Sequence, residues 1–455
     1  MPPVSSTESS RSPGCCPSVR LAPYLAGHPR LHRLFCRLRW TWCTDRLLDL
    51  VASLWLRQGK GGGTDYQSMI ATHAGSLCSS GATDAGDLDT EFIRSIVSAE
   101  PNRRQAALFL ANLERLDAKV QRGLLKTWLH VAVVTGTSRR AHFLRAQREG
   151  TPPRPRPMDA IVAPFGGCNL ACRGCYYQGK LPGGNASPGQ LAHILEQLRS
   201  LDVYHVLLAG QGEPFFNAES RAALFAAVRK FPQLFFTVYS NGTTITDADL
   251  VQLQKCPNLL PMISLDGPEA VNDWRRGRGV YQTVRTTMQR MRDKGLLFGY
   301  ITTVFRQNMD AAVCPEFIAH MAGAGCQIGY YSLFVGSPKA ADRAMLLTPA
   351  ARAGYFARLQ QLGSEAPIPL VDIDGIEARF GCRARRGATV YINAITGKVS
   401  PCIRIPETAR NAPRNCLHRN ARLDQILGSD DFLSWRESLP ETGPCAAFND
   451  LEPGA

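Results

Sequence analysis

The chain has 455 residues, 44% of them hydrophobic and 20% charged, which suits a soluble globular protein too long for one ordinary domain. Its net charge of +14 is spread along the sequence, so it permits an acidic partner such as nucleic acid or anionic lipid without requiring one. No apolar run is long enough to span a bilayer and no signal-like segment follows Met1, so the 15 cysteines read as thiols and metal ligands of a reducing, cytoplasmic setting.

Residues 1–88 are rich in Ser, Gly and Pro ("MPPVSSTESSRSPGCCPS", "GKGGGTDYQS") and read as mostly disordered. Within them Leu47, Leu48, Val51, Leu54 and Trp55 fall at helical spacing, either as a membrane-surface helix or as a stripe packed on the protein itself. Cys15, Cys16, Cys36, Cys43 and Cys78 have no metal spacing. Residues 89–157 form a helical region that ends in the linker "EGTPPRPRP", because proline cannot continue a helix.

From 158 to 345, strands and helices alternate. The strand candidates are "MDAIVAP", "VYHVLLAG", "LFFTVYSNG", "LLPMISLDG", "FGYITTVF" and "CQIGYYSLF". Six apolar strands separated by helices predict a parallel sheet with helices outside, whose ligands sit at the carboxyl ends of the strands. A bridging helix and a cysteine-bearing segment follow, over 346–455.

The first strand runs into "APFGGCNLACRGCYYQGK". Cys168, Cys172 and Cys175 fit inside one loop and can hold three corners of a metal cluster, leaving the fourth open. A zinc loop or three buried thiols is the alternative. The next three strands end in "AGQGEP", "SNGT" and "SLDG", each with small residues that admit a ligand and one polar group that can fix it.

Taken together, these motifs resemble the radical S-adenosylmethionine (SAM) superfamily, over Met158 to Phe334. The resemblance implies an α/β fold, a partial (β/α)6 barrel with an N-terminal helical region and a small C-terminal cluster-binding domain. It implies that Cys168, Cys172 and Cys175 hold a [4Fe–4S] cluster whose fourth iron is chelated by SAM. Gly212 and Glu213 match the element in which the glutamate accepts from the SAM amine. Ser240 and Asn241 match the pair that reaches the carboxylate and ribose, and Ser264 and Asp266 match the ribose contact. The sequence departs from the pattern twice. Gly174 replaces the aromatic residue that packs on the adenine, leaving Tyr176 and Tyr177 for that contact or for simple packing, and Gln211 replaces a glycine.

"GCRARRGATVYINAITGKVSPC" places Cys382 and Cys402 around a turn at Gly397, followed by the helical stretch "DQILGSDDFLSWRE" and by Cys445. This resembles the auxiliary-cluster extension called SPASM, or its shorter twitch form. The resemblance implies a second [4Fe–4S] cluster on Cys382, Cys402 and Cys445, with Cys416 as fourth ligand or as a structural thiol that leaves one iron open. A zinc site or free thiols is the alternative. Cys256, Cys314 and Cys326 read as buried thiols.

What the resemblance implies is an enzyme that reductively cleaves SAM to a 5′-deoxyadenosyl radical and abstracts hydrogen from substrate. Its electron comes from a donor such as flavodoxin or ferredoxin. A peptide or protein side chain is the first choice of substrate; a small metabolite, sugar or lipid is the second. Residues 89–147 either recognise such a peptide or brace the barrel. A non-catalytic cluster module binding nucleic acid leaves Glu213, Asn241 and Asp266 without a purpose, so no nucleic acid is expected. A cobalamin-dependent methyltransferase is a third reading, but nothing upstream of the barrel reads as a cobalamin domain.

Overall fold

Strands form where apolar side chains can be buried on the outward face beneath helices, and the first strand shows why. In β1 (Asp159–Ala163), Ala160 and Val162 have no exposure and pack outward. Asp159 turns to the inside of the sheet and meets Arg383 there. This computed structural model describes residues 104–105, 108–109, 111–150, 156–175, 184–335, 343–405, 415–417 and 421–440. The expectations for residues 1–88, for Tyr176 and Tyr177 and for Cys445 lie outside them.

All six expected strands are present: β1, then β2 (His205–Leu208), β3 (Phe235–Ser240), β4 (Leu259–Ser264), β5 (Gly299–Val304) and β6 (Gly329–Leu333). They pair in parallel in sequence order, with Asp159 opposite His205 and Ser240 opposite Ile263. Helices cross outside between them, as in a partial (β/α)6 barrel. The first of these crossovers (Pro188–Ser200) starts at a capping box, Ser187 with Gln190, and has proline at its first turn. It buries Leu191, Ile194, Leu195 and Leu198 at spacings of three and four, each worth about 1.5–3 kcal/mol.

Residues 346–440 extend the same sheet. After a helix at Pro349–Glu365, β7 (Leu370–Asp372) pairs with β6. The chain then passes through a helix at Ile373–Phe380, and β8 (Thr389–Asn393) pairs in parallel with β1 on the other edge. β9 (Val399–Ser400) returns antiparallel to β8 around Gly397, whose φ of 75° places the expected turn. The sheet therefore has nine strands, in the order β7-β6-β5-β4-β3-β2-β1-β8-β9. The expected last helical stretch is two helices, Leu423–Leu427 and Asp430–Glu437, parted at Gly428.

The helical region before the linker packs beneath the barrel. Leu116, Val120 and Leu124 cluster with Leu260, Met262, Leu297 and Ile301 at the amino ends of β4 and β5. The Asp117 amide donates to Gly295 O at 2.8 Å, so this region braces the barrel. No described helix is long and apolar enough to cross a membrane.

Candidate active site

At the carboxyl edge of the sheet, the loop after β1 carries Cys168, exposed, and Cys172 and Cys175, half-buried, all three as free thiols. Two neighbours fix its path. On one side the Glu213 amide donates to Gly167 O at 2.7 Å. This close approach requires glycine at 212, since a Cβ there would lie 2.5 Å from Gly167 O and 2.7 Å from Phe165 O. On the other side the Arg173 amide donates to Arg275 O at 2.8 Å, and its side chain donates to Trp274 O at 2.7 Å.

Glu213 is 2% exposed and ties the loop to the end of β3. Its carboxylate accepts from Phe215 N (3.0 Å), Ser240 Oγ (2.7 Å) and Asn241 N (2.6 Å). Burial pushes its pKa up, against these three donors. Asn241 in turn donates from Nδ2 to Asn169 Oδ1 at 2.8 Å and approaches Cys168 Sγ at 3.8 Å. Its Oδ1 accepts from Thr243 N at 2.9 Å. Asn169 and Thr243 complete this network and were not among the expected site residues. Their place beside Cys168 and Asn241 in the two motifs was the available signal. Ser264 closes β4, half-buried.

Gln211 reaches from the same edge to β8, donating from Nε2 to the Tyr391 hydroxyl at 3.2 Å. Its buried Oε1 has no partner among the described residues. Three free thiols, a glycine cradle that a Cβ would fill and an orphaned buried amide oxygen fit a [4Fe–4S] cluster with SAM.

Asp266, just beyond β4, is bound on several sides. It has no exposure, and its Oδ2 accepts from Arg275 Nη1 and Arg276 Nε, both at 2.6 Å. Its Oδ1 accepts from Arg276 Nη2 at 3.2 Å and Thr303 N at 3.0 Å. Four donors reach its two oxygens, so the side chain is a buried hub between this strand end and the helix Glu269–Arg276. Burial acts against its charge, but the two guanidinium groups win and hold it down at about 2.

The position of Gly174 is explained by Phe334, at the end of β6. A Cβ on Gly174 would lie 2.6 Å from the Phe334 ring and 3.2 Å from Met345 Sδ, and its φ is +63°. An aromatic residue therefore cannot occupy 174, because Phe334 already fills that space.

Charged side chains of the C-terminal segment meet residues of the sheet and of the helix Ile373–Phe380. Arg383 pairs with Asp159 and Arg404 pairs with Asp374. Burial raises Glu377, partly offset by Arg404, and pushes Tyr330 up to about 12. In the C-terminal segment, the Arg385 and Arg404 amides donate to Cys382 Sγ (3.5 Å) and Cys402 Sγ (3.4 Å). Cys416 donates to Thr396 O at 3.3 Å. Cys256 and Cys326 are buried, as expected, whereas Cys314 is half-buried. Among the described residues no three His, Cys, Asp or Glu side chains converge to hold a single metal ion.

Residues 162–313 match the model of the Radical SAM superfamily. No curated protein matches the sequence. Streptococcus suis SuiB bound to S-adenosylmethionine is similar in fold, with a TM-score of 0.53 at 16% identity over 68% of this chain and 75% of that one. SuiB bound to the precursor peptide SuiA gives 0.54 at 16% identity, over 68% and 73%. Native anSMEcpe with bound AdoMet gives 0.50 at 14% identity, over 66% and 92%. The non-catalytic alternative falls with these findings. Residues 162–313 thus form a radical SAM domain, within a chain whose fold is similar to that of SuiB.

Proposed function

We propose that the enzyme cleaves SAM reductively and abstracts hydrogen from a peptide or protein side chain. The observation that carries the SAM half is the meeting of the three thiols with the Glu213–Ser240–Asn241 network at one edge. When bound, the cluster and SAM supply the one-electron chemistry. Cys168, Cys172 and Cys175 hold the cluster, while Glu213, Asn241 and the Gln211 amide oxygen face the polar end of SAM. Gly212 lets the backbone approach, and Ser264 lies at the ribose side. Supporting the peptide half is the fold shared with SuiB, a protein whose structure contains a precursor peptide.

The second cluster belongs to the same reading, on Cys382, Cys402 and Cys445 with Cys416. Backbone N–H groups donate to the Sγ of Cys382 and of Cys402, an arrangement that suits ligating sulfur. It would anchor substrate or accept the electron left after oxidation, on a C-terminal segment of 346–455. A flavodoxin or ferredoxin of the cell would supply the first electron.

The test is anaerobic reconstitution, followed by incubation with SAM, dithionite and candidate peptides. We expect 5′-deoxyadenosine and a peptide mass change from the native chain. The triple variant Cys168→Ala, Cys172→Ala, Cys175→Ala should give neither while keeping about four irons of a second [4Fe–4S] cluster. Unchanged SAM cleavage in that variant would sink the SAM half. Deoxyadenosine without a modified peptide, but with a modified small molecule, would sink the peptide half.

A further inference from the structure

Behind the cysteine loop, one carboxylate faces two guanidinium groups. Asp266 pairs with both Arg275 and Arg276, whose side chains are each 8% exposed. Neither arginine pairs with a second carboxylate among the described residues, so the buried group keeps one positive charge in excess. An uncompensated buried charge is costly, and an opposite charge brought beside it relieves that cost. Arg275 Nε is also buried with no hydrogen-bond partner.

The excess charge is held against the loop. Arg275 O accepts from the Arg173 amide, and the Arg275 guanidinium lies 5.8 Å from the Phe305 ring centroid and 6.0 Å from that of Phe334. Phe334 in turn presses on Gly174, between Cys172 and Cys175. Trp274 stacks on Phe305 at 5.8 Å, and Arg173 lies over Trp274 at 5.2 Å. The buried pair therefore backs the stretch of loop that carries Cys172 and Cys175.

We propose that Arg275 and Arg276, clamped by Asp266, are positioning residues that raise the reduction potential of the cluster on Cys168, Cys172 and Cys175. This rests on the reading of those thiols as cluster ligands. Three thiolates on a [4Fe–4S]2+ core leave a net negative group that gains a further negative charge when one electron arrives from an external donor. A fixed positive charge therefore favours the reduced form over the oxidised one. The Asp266 carboxylate keeps the pair in place and lowers its net charge to a single unit.

The test is a redox titration of the reconstituted full chain, followed by EPR, with the barrel cluster recognised as the signal that changes on adding SAM. Arg276→Gln should move that midpoint to a more negative potential, so that at a fixed poise the reduced-to-oxidised ratio falls by about tenfold. Arg276→Lys should stay near the native value, because the charge is kept. If Arg276→Gln holds no iron, Arg275→Gln carries the same test. A native midpoint in the Gln variants, beside a normal SAM-sensitive signal, overturns this inference alone. An equal shift in Arg276→Lys overturns it too, since packing would then be the cause. A native chain with no SAM-sensitive signal overturns the cluster assignment and this inference together.

Discussion

A single methyl group at residue 212 tests how the loop and the second strand end fit together. Built on Gly212, it would lie 2.5 Å from Gly167 O and 2.7 Å from Phe165 O, and backbone atoms cannot yield as a flexible side chain would. Gly212→Ala should therefore push the cysteine loop aside, costing about 1–3 kcal/mol in stability. Barrel iron after reconstitution should drop while the far-ultraviolet spectrum stays native. Full iron content would mean that the loop has more room than this geometry gives it. His130 tests burial in another way. It is 4% exposed, and burial, aided by Lys126, lowers its pKa to about 3. A folded-state pKa below the unfolded value means that the unfolded chain binds more protons between the two. Stability contributed by neutral His130 is thus complete above about pH 6.5 and is lost as the pH falls toward 3, by at most about 1.4 kcal/mol per pH unit. Urea unfolding at several pH values should show a shallower slope in His130→Gln; an unchanged slope would assign it to other groups.

Elements were legible in the sequence where burial is apolar and hidden where it is polar. The six strands and their crossover helices announce themselves through runs such as "VYHVLLAG" and stripes such as Leu191, Ile194, Leu195 and Leu198. The helix Glu269–Arg276 does not, because the residues it buries are Asn272, Arg275 and Arg276, which read as a solvated face. For the same reason the pairing of Asp266 with Arg275 and Arg276 was not legible, since both arginines lie on an element with no apolar signature. β7 was hidden because it has only three residues, and β8 because its partner lies far away in sequence, as with Asp159 and Thr389, 230 residues apart. The three thiols and the Glu213 motif were legible because their chemistry needs fixed local spacings. Inside the barrel, Arg404 of the C-terminal segment meets Asp374 at side-chain exposures of 14% and 3%. Removing one member of such a pair strands the other, so Arg404→Met should cost about 3–5 kcal/mol. Asp374 also accepts from the Leu333 amide at 2.6 Å, so its oxygen cannot simply be deleted. Asp374→Asn keeps an acceptor and removes the charge. The double variant should therefore be more stable than Arg404→Met alone in chemical denaturation. A double variant less stable than the single would show that the stranded charge is not the main cost.

At the scale of the whole molecule, the C-terminal segment supplies both flanks of the sheet. β7 covers the edge of β6 and β8 covers the edge of β1, so the six-strand barrel has no free edge of its own. β8 also buries Val390 and Ile392 in the main core, at 1% and 0% exposure, and the helix at Leu423–Leu427 lies on the first crossover helix. Bare strand edges pair with other chains, and an apolar strand removed from a core leaves its neighbours wet. A chain ending at Val335 retains the complete radical SAM match at 162–313 but loses both flanks. It should therefore associate on size exclusion and melt without a sharp transition, while the full chain melts cooperatively. If the shortened chain is monomeric and melts as sharply as the full one, residues 346–455 are a separate domain resting on a barrel that folds alone. If it associates, the cysteine-bearing segment is part of the barrel's own folding unit, and loss of that segment would remove the SAM site along with any second cluster.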